Sequence, residues 1–236
     1  MLHTRVSRAS QDYARRISLA TLCLLVALFF PCRVLAQQAL PADLEIPNLG
    51  IVKDQIRAYQ SSGDYETGLQ RVAGQARAYL EANPGRPRPA MVLDIDDTSL
   101  SNWPAVDKSD FGYDPNVFEE WVLSAQAPPI QGTLDLYRFA RQRGVAVFFI
   151  TGRPQSWKKA TEENLRKAGF TDWEGLYLRP ESDKNESVVP YKSGVRRQLL
   201  EQGYSVVVNV GDQFSDLEGG YAESSFKLPN PMYYLP

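Results

Sequence analysis

Residues 90–98 read Ala90-Met91-Val92-Leu93-Asp94-Ile95-Asp96-Asp97-Thr98. An apolar run too short for a helix breaks off into acid. That pattern predicts a strand over 90–95, buried on both faces. Two further runs have the same character: Val145-Ala146-Val147-Phe148-Phe149-Ile150 and Ser205-Val206-Val207-Val208-Asn209-Val210. A shorter strand is expected over 176–178. Helical patterns separate the strands. Asp114-Pro115 starts one, with Phe118, Trp121 and Val122 on one side. Thr133 is expected to cap a second, which Gly144 ends. Others are read over 154–168, closed by Gly169, and 190–202, closed by Gly203. Apolar strands alternating with helices imply an α/β fold, a central parallel sheet flanked by helices.

Such sheets place their chemistry at the carboxyl ends of the strands. The first strand delivers Asp94, Asp96, Asp97 and Thr98 to that rim. The second delivers Thr151-Gly152-Arg153, and the third Gly211-Asp212-Gln213-Phe214-Ser215-Asp216. Lys192 opens the helix before the third strand. Each motif alone reads as a solvated turn or a common loop. A calcium loop fails at Ser99, where glycine is needed, and at Ala105, where the closing glutamate belongs. Four polar motifs in order at one predicted edge favour a site.

The set suits phosphoryl transfer. A carboxylate that attacks a phosphate dianion meets like charge, about 4 kcal/mol per pair at ~4 Å and an effective dielectric of ~20. Attack therefore needs cations. A hard dication on Asp94 and Asp212 supplies one, and Lys192 a second. The Thr151 hydroxyl and the Gly152 N–H can hold phosphate oxygens. Asp96, two residues beyond Asp94, can serve as general acid and then general base.

Upstream of this core, residues 64–83 are helical in pattern, with Tyr65, Leu69, Val72, Ala73, Ala76, Tyr79 and Leu80 on one face and Asp64 as N-cap. A shorter helix is expected near 50–60, so residues 37–89 form a helical extension before a catalytic core over 90–236. Residues 1–36 read as a cleaved signal peptide: Arg5, Arg8, Arg15 and Arg16, an apolar run over 17–30, then Val34-Leu35-Ala36. The run falls short of the ~18 residues of a membrane span. Arg15-Arg16 resembles a twin-arginine signal, with Ser18 against it. Pro31 argues against a lipobox at Cys32. The expected location is periplasmic or secreted, with no stable membrane span after cleavage.

Cleavage narrows the chemistry. His3, Cys23 and Cys32 are the chain's only His and Cys residues, and all three lie in the signal. The mature chain would have no serine–histidine triad, no thiol nucleophile and no histidine-bound zinc. It would also lose five of 26 basic residues and one of 28 acidic ones, which leaves 21 against 27. An acidic domain is not expected to bind a nucleic-acid polymer.

At these residues the sequence resembles the haloacid dehalogenase superfamily: Asp94-x-Asp96-x-Thr98 as motif one, Thr151 as motif two, Lys192 as motif three, Asp212 with Asp216 as motif four. The second aspartate marks its phosphatase branch. Ser101-Asn102, Phe149-Ile150-Thr151-Gly152-Arg153 and the tail 226–234 bring it nearer to the acid phosphatases of classes B and C and the plant vegetative storage proteins. The resemblance implies an exported acid phosphatase of that Rossmann-like fold with only a small cap. It implies an aspartyl phosphate on Asp94 and acid–base work by Asp96. It implies Mg²⁺ on Asp94, the Asp96 carbonyl and Asp212, with Asp216 a ligand directly or through water. Arg153 would contact phosphate or substrate.

The implied partner is a small phosphomonoester, with nucleoside monophosphates and aryl phosphates as candidates. Trp103, Phe111, Tyr113 and Trp121 could wall the site, although Phe118 and Trp121 read first as core. Tyr233 and Tyr234 either close the far side or pack the terminus. Two rival functions stand: a storage-like binding protein of the same fold, and a phosphotransferase.

Overall fold

The computed structural model describes residues 46–235. The expected signal peptide over 1–36 and the start of the expected extension lie outside them. Helix α1 spans Leu49–Ser61 and α2 Asp64–Ala82. Strand β1 follows (Pro89–Leu93), then α3 (Trp103–Lys108), α4 (Pro115–Leu123), α5 (Gln131–Gln142) and β2 (Ala146–Pro154). A 3₁₀ turn at Gln155–Trp157 leads into α6 (Lys158–Lys167). The chain continues through β3 (Gly175–Arg179), α7 (Val189–Glu201), β4 (Ser205–Gly211), α8 (Phe214–Leu217) and β5 (Ser224–Lys227).

The five strands form one parallel sheet in the order β3-β2-β1-β4-β5. The expected α/β architecture is thus borne out. Strand period two explains why both faces are apolar. Met91, Leu93, Val147 and Phe149 point into the larger core under α2 and α5. Ala90, Val92, Phe148 and Ile150 point the other way, against Val195 and Leu199 of α7. The chain order reverses beside β1, so β1, β2 and β4 open a crevice at their carboxyl ends.

Several local expectations shift. Gly63, at φ 84°, holds the N-cap position of α2, and Asp64 becomes its first helical residue. Helix α5 starts at Gln131, so Thr133 lies inside it, buried, with a hydroxyl that makes no hydrogen bond. Strand β2 runs on through Thr151-Gly152-Arg153 to Pro154, because the edge strand β3 pairs with it that far. The following α-helix therefore starts at Lys158. Helices α3 and α8 and edge strand β5 are additions to the expected elements. Among the described residues, no helix is long and apolar enough to cross a membrane.

Candidate active site

The loop after β1 is fixed before any ligand arrives. The Asp94 N–H donates to the Val210 carbonyl of β4 at 3.0 Å, and Ser99 Oγ donates to the Asp94 carbonyl at 2.6 Å. Asp97 takes φ 51°, a left-handed conformation that aspartate tolerates better than most residues. Its buried carboxylate accepts from the Asn102 N–H at 2.9 Å and from the Tyr233 hydroxyl at 2.6 Å. Asn102 is the hub of this loop: its Nδ2 donates to Asp96 at 2.9 Å, and its Oδ1 accepts from Trp121 Nε1 at 2.9 Å.

From β4 come Asp212 and Asp216. Gly211, the last residue of β4, must be glycine, because a Cβ there would lie 2.3 Å from the Asp216 Cβ. Asp94, Asp212 and Asp216 are all buried, and one carboxylate oxygen of each lies within 4.8 Å of the others. Lys192, in the first turn of α7, donates to Asp94 and to Asp216 at 2.5 Å each. Thr98 Oγ1 donates to one Asp212 oxygen at 2.9 Å. Gln213 Nε2 (2.7 Å) and Asn230 Nδ2 (2.8 Å) donate to the other.

Three carboxylates thus face one ammonium in a dry cluster, a deficit of two positive charges. Burial and the neighbouring Asp216 raise Asp94 well above the usual carboxylate range, against the pull of Lys192. The same two causes push Asp212 up to about 6. Burial alone would lower Lys192, but Asp216 and Asp94 hold it above the usual lysine range. All-oxygen donors with unbalanced negative charge fit a hard divalent cation.

Asp96 points elsewhere. Its carboxylate is forked by Arg153, with Nη2 at 2.7 Å from Oδ1 and Nε at 3.0 Å from Oδ2. Burial would raise Asp96, but the Arg153 charge and hydrogen bonds win, and Asp96 is held below the usual range. Arg153 also donates to Thr161 Oγ1 at 3.2 Å, so α6 anchors its far nitrogen. Thr151 Oγ1 accepts from the Arg153 N–H at 3.2 Å, which leaves its own proton free to donate.

The profile of the HAD superfamily, subfamily IIIB (Acid phosphatase), matches residues 34–236. The chain belongs to this family. Acid phosphatase 1 of Solanum lycopersicum is 37% identical over 190 residues, which cover 77% of this chain and 74% of that protein. Vegetative storage protein 2 of Arabidopsis thaliana is 38% identical over 149 residues, 61% of this chain and 56% of the relative. The class C acid phosphatase from Bacillus anthracis superposes with a TM-score of 0.64 at 25% identity, covering 78% of this chain and 86% of that one. Fold, family and enzyme class stand as expected: an acid phosphatase, a hydrolase of phosphoric monoesters.

Within this acid phosphatase, the motif residues meet at the rim as two groups: Asp94, Lys192, Asp212 and Asp216 in one, Asp96, Arg153 and Thr151 in the other. Asn102 ties Asp96 of the second group to Asp97 and Trp121. The four aromatics expected as one wall divide three ways. Trp103 pairs with Phe111 at 6.0 Å, beneath Arg57 of α1. Tyr113 and Trp157 flank Phe118 at 5.8 and 6.2 Å. Trp121 rests on the core edge and holds Asn102. Phe118, itself half-buried, lies outside the core between Trp157 and the exposed Tyr113, where its helix packs on α6. Tyr233 reaches Asp97 in the loop after β1, whereas Tyr234 is exposed. Asn230 escaped a reading by strand ends, since it follows no apolar strand of its own.

Proposed function

We propose that this acid phosphatase is an exported, Mg²⁺-dependent phosphomonoesterase working through an aspartyl phosphate on Asp94. The supporting observation is the buried cluster of Asp94, Asp212 and Asp216 around Lys192 at the carboxyl end of β1 and β4. Asp94, Asp212, Asp216 and the Asp96 carbonyl would hold the Mg²⁺, which lowers the repulsion between nucleophile and phosphate and neutralises charge on the phosphoryl oxygens.

The chain's own groups account for the rest. Lys192 holds one oxygen of Asp94. The other oxygen makes no hydrogen bond among the described residues and is assigned as the nucleophile. It forms the new O–P bond as the ester oxygen leaves, and Asp96 gives that oxygen a proton. Thr151 and the Gly152 N–H hold the phosphate. Asp96 then takes a proton from the water that attacks phosphorus, which frees Asp94. An Asp96 kept ionised by Arg153 suits this second step. For the first, the bound phosphate draws the guanidinium away, since its fork fits either oxyanion, and Asp96 can then carry a proton. Nucleoside monophosphates and aryl phosphates are the proposed substrates.

The test is a phosphomonoester panel on the mature protein, residues 37–236, with and without Mg²⁺. Expected are hydrolysis of p-nitrophenyl phosphate and nucleoside monophosphates, and its loss in EDTA. Turnover that survives full chelation would sink the metal-dependent reading. Mg²⁺ binding with no turnover on any ester would favour the storage role. New phosphoesters on added glycerol would favour the transferase.

A further inference from the structure

We propose that the C-terminal segment 228–235 is a positioning element of the site. Asn230 orients Asp212 toward the cation, and Tyr233 fixes the loop that carries Asp94 and Asp96. The inference rests on the Mg²⁺ reading above and adds residues outside the four motifs to it.

The fold explains how the tail arrives. β5 pairs in parallel with β4, so it delivers the chain to the same carboxyl edge as the catalytic loops. The Leu228 N–H donates to the Gly211 carbonyl at 2.8 Å, and its side chain is fully buried. The tail then crosses the edge from β4 toward β1. Pro229 lies over Gly68 of α2, where a Cβ would come within 3.3 Å of its ring. Met232 Sδ accepts from Gln60 Nε2 of α1 at 3.7 Å. The helical extension is thus the bed on which the tail lies. At the far end, the Leu235 N–H donates to Gln213 Oε1 at 3.0 Å, and its carbonyl accepts from Ser215 Oγ at 3.2 Å.

A tail that merely packed would bury apolar groups and leave its polar groups to solvent. Here two side chains donate to buried carboxylates in two different loops. The Asn230 amide has only one workable orientation, because its Oδ1 accepts from the Met232 N–H at 2.8 Å. Its Nδ2 must therefore be the atom 2.8 Å from Asp212 Oδ2. With Gln213 on the same oxygen and Thr98 on the other, Asn230 sets the rotation of the Asp212 carboxylate. Tyr233 acts at the second loop: its hydroxyl holds Asp97, Asp97 holds the Asn102 N–H, and Asn102 Nδ2 holds Asp96. The hydroxyl also satisfies a carboxylate that sits at positive φ with no exposure to solvent.

Outer partners of metal ligands typically change affinity by about 10–100-fold when removed. The test uses Asn230→Ala and Tyr233→Phe in the mature protein, with Mg²⁺ binding measured by calorimetry without substrate, beside steady-state kinetics. Asn230→Ala is expected to weaken Mg²⁺ by about 10–100-fold, with most of kcat restored at saturating Mg²⁺. Tyr233→Phe is expected to leave Mg²⁺ affinity at the wild-type value and lower kcat, by up to about 10²-fold, with little change in KM. Wild-type Mg²⁺ affinity in Asn230→Ala, or wild-type kcat in Tyr233→Phe, would overturn the proposal. If Asn230→Ala fails to fold, the single-oxygen change in Tyr233→Phe carries the decision. A wild-type protein that binds no Mg²⁺ would instead overturn the function proposed above, and the two failures are distinct.

Discussion

Lys192 and Arg57 each bridge two aspartates, and their surroundings make them opposites. Lys192 sits 2.5 Å from both Asp94 and Asp216, with side chains 5%, 7% and 5% exposed. Arg57 of α1 sits 2.8 Å from both Asp107 and Asp110, with 36%, 45% and 66% exposed. The drawings look alike, but the energies do not. In the dry cluster each charge depends on its partners, because desolvation is not recovered if one is lost. At the surface, water and salt do most of what a partner does. Arg153 with Asp96, at 2% and 22% exposure, stands between them. Burial, more than distance, sets what each pair is worth, and that ranking can be tested one cation at a time.

The largest effect should come from Asp94, the proposed nucleophile. Asp94→Asn is expected to abolish turnover on every ester. It should also raise the melting temperature of the metal-free protein, because it removes one of three crowded charges and leaves Lys192 paired with Asp216. A functional residue that costs stability is the signature expected of a site. A variant that turned over substrate at the wild-type rate would remove the covalent mechanism. One that melted lower in EDTA would contradict the charge deficit.

Next comes Lys192→Met, which leaves Asp94 and Asp216 buried without their cation. The expected cost is about 3–5 kcal/mol in denaturant unfolding of the metal-free protein. Added Mg²⁺ should recover part of it by binding the native state. A loss well under 1 kcal/mol would mean that the cluster is wetter than its exposure suggests.

Arg153→Gln should cost less, about 1.5–3 kcal/mol, the range for hydrogen bonds to a charged group. Its acid dependence is more telling. Arg153 holds the folded Asp96 below its ordinary value, so the pair's contribution is complete above about pH 4 and fades as pH falls through the lower folded value. In Arg153→Gln the burial that raises Asp96 is opposed only by the Asn102 hydrogen bond and the Lys192 charge, so that low-pH loss should shrink in the unfolding curve. Identical acid limbs in wild type and variant would show that Arg153 does not set the Asp96 charge.

The same gradient explains what the sequence made legible. Asp94, Thr151 and Asp212 each follow an apolar run, so the strand pattern announced them and the parallel topology supplied their meeting point. Lys192 came with the helix that precedes β4. The Asp96–Arg153 pair was hidden, because adjacent parallel strands leave the direction of a side chain beyond the strand end open. Asn230 was hidden, and the role of Tyr233 left open, for another reason. Tyr233 meets Asp97 across 136 residues, and no periodicity in the tail says which loop its hydroxyl will find. The helix boundaries near Thr133 and Pro154 moved because tertiary pairing outweighed local caps, as the extension of β2 beside β3 shows.

Arg57→Ala closes the series with the smallest expected effect. The clasp joins α1 to α3 through Asp107 and to the turn after it through Asp110, with Lys53 adding a 2.7 Å contact to Asp110. The Arg57 guanidinium also lies 5.2 Å from the Phe111 ring centroid, so its loss removes an aromatic contact as well as charge. Charge and contact separate by salt. At 1 M the Debye length falls to about 3 Å, and an effect due to charge should fade there while one due to packing on Phe111 persists. The expected result is a small drop in melting temperature at low salt that shrinks at 1 M, with kcat unchanged, since no group of the clasp touches the carboxylate cluster. A drop as large as that of Lys192→Met would break the comparison, because exposure would no longer rank the two bridges. A fall in kcat would show instead that α1 transmits its position through α3 to Asn102, which immediately precedes that helix and holds both Asp96 and Asp97.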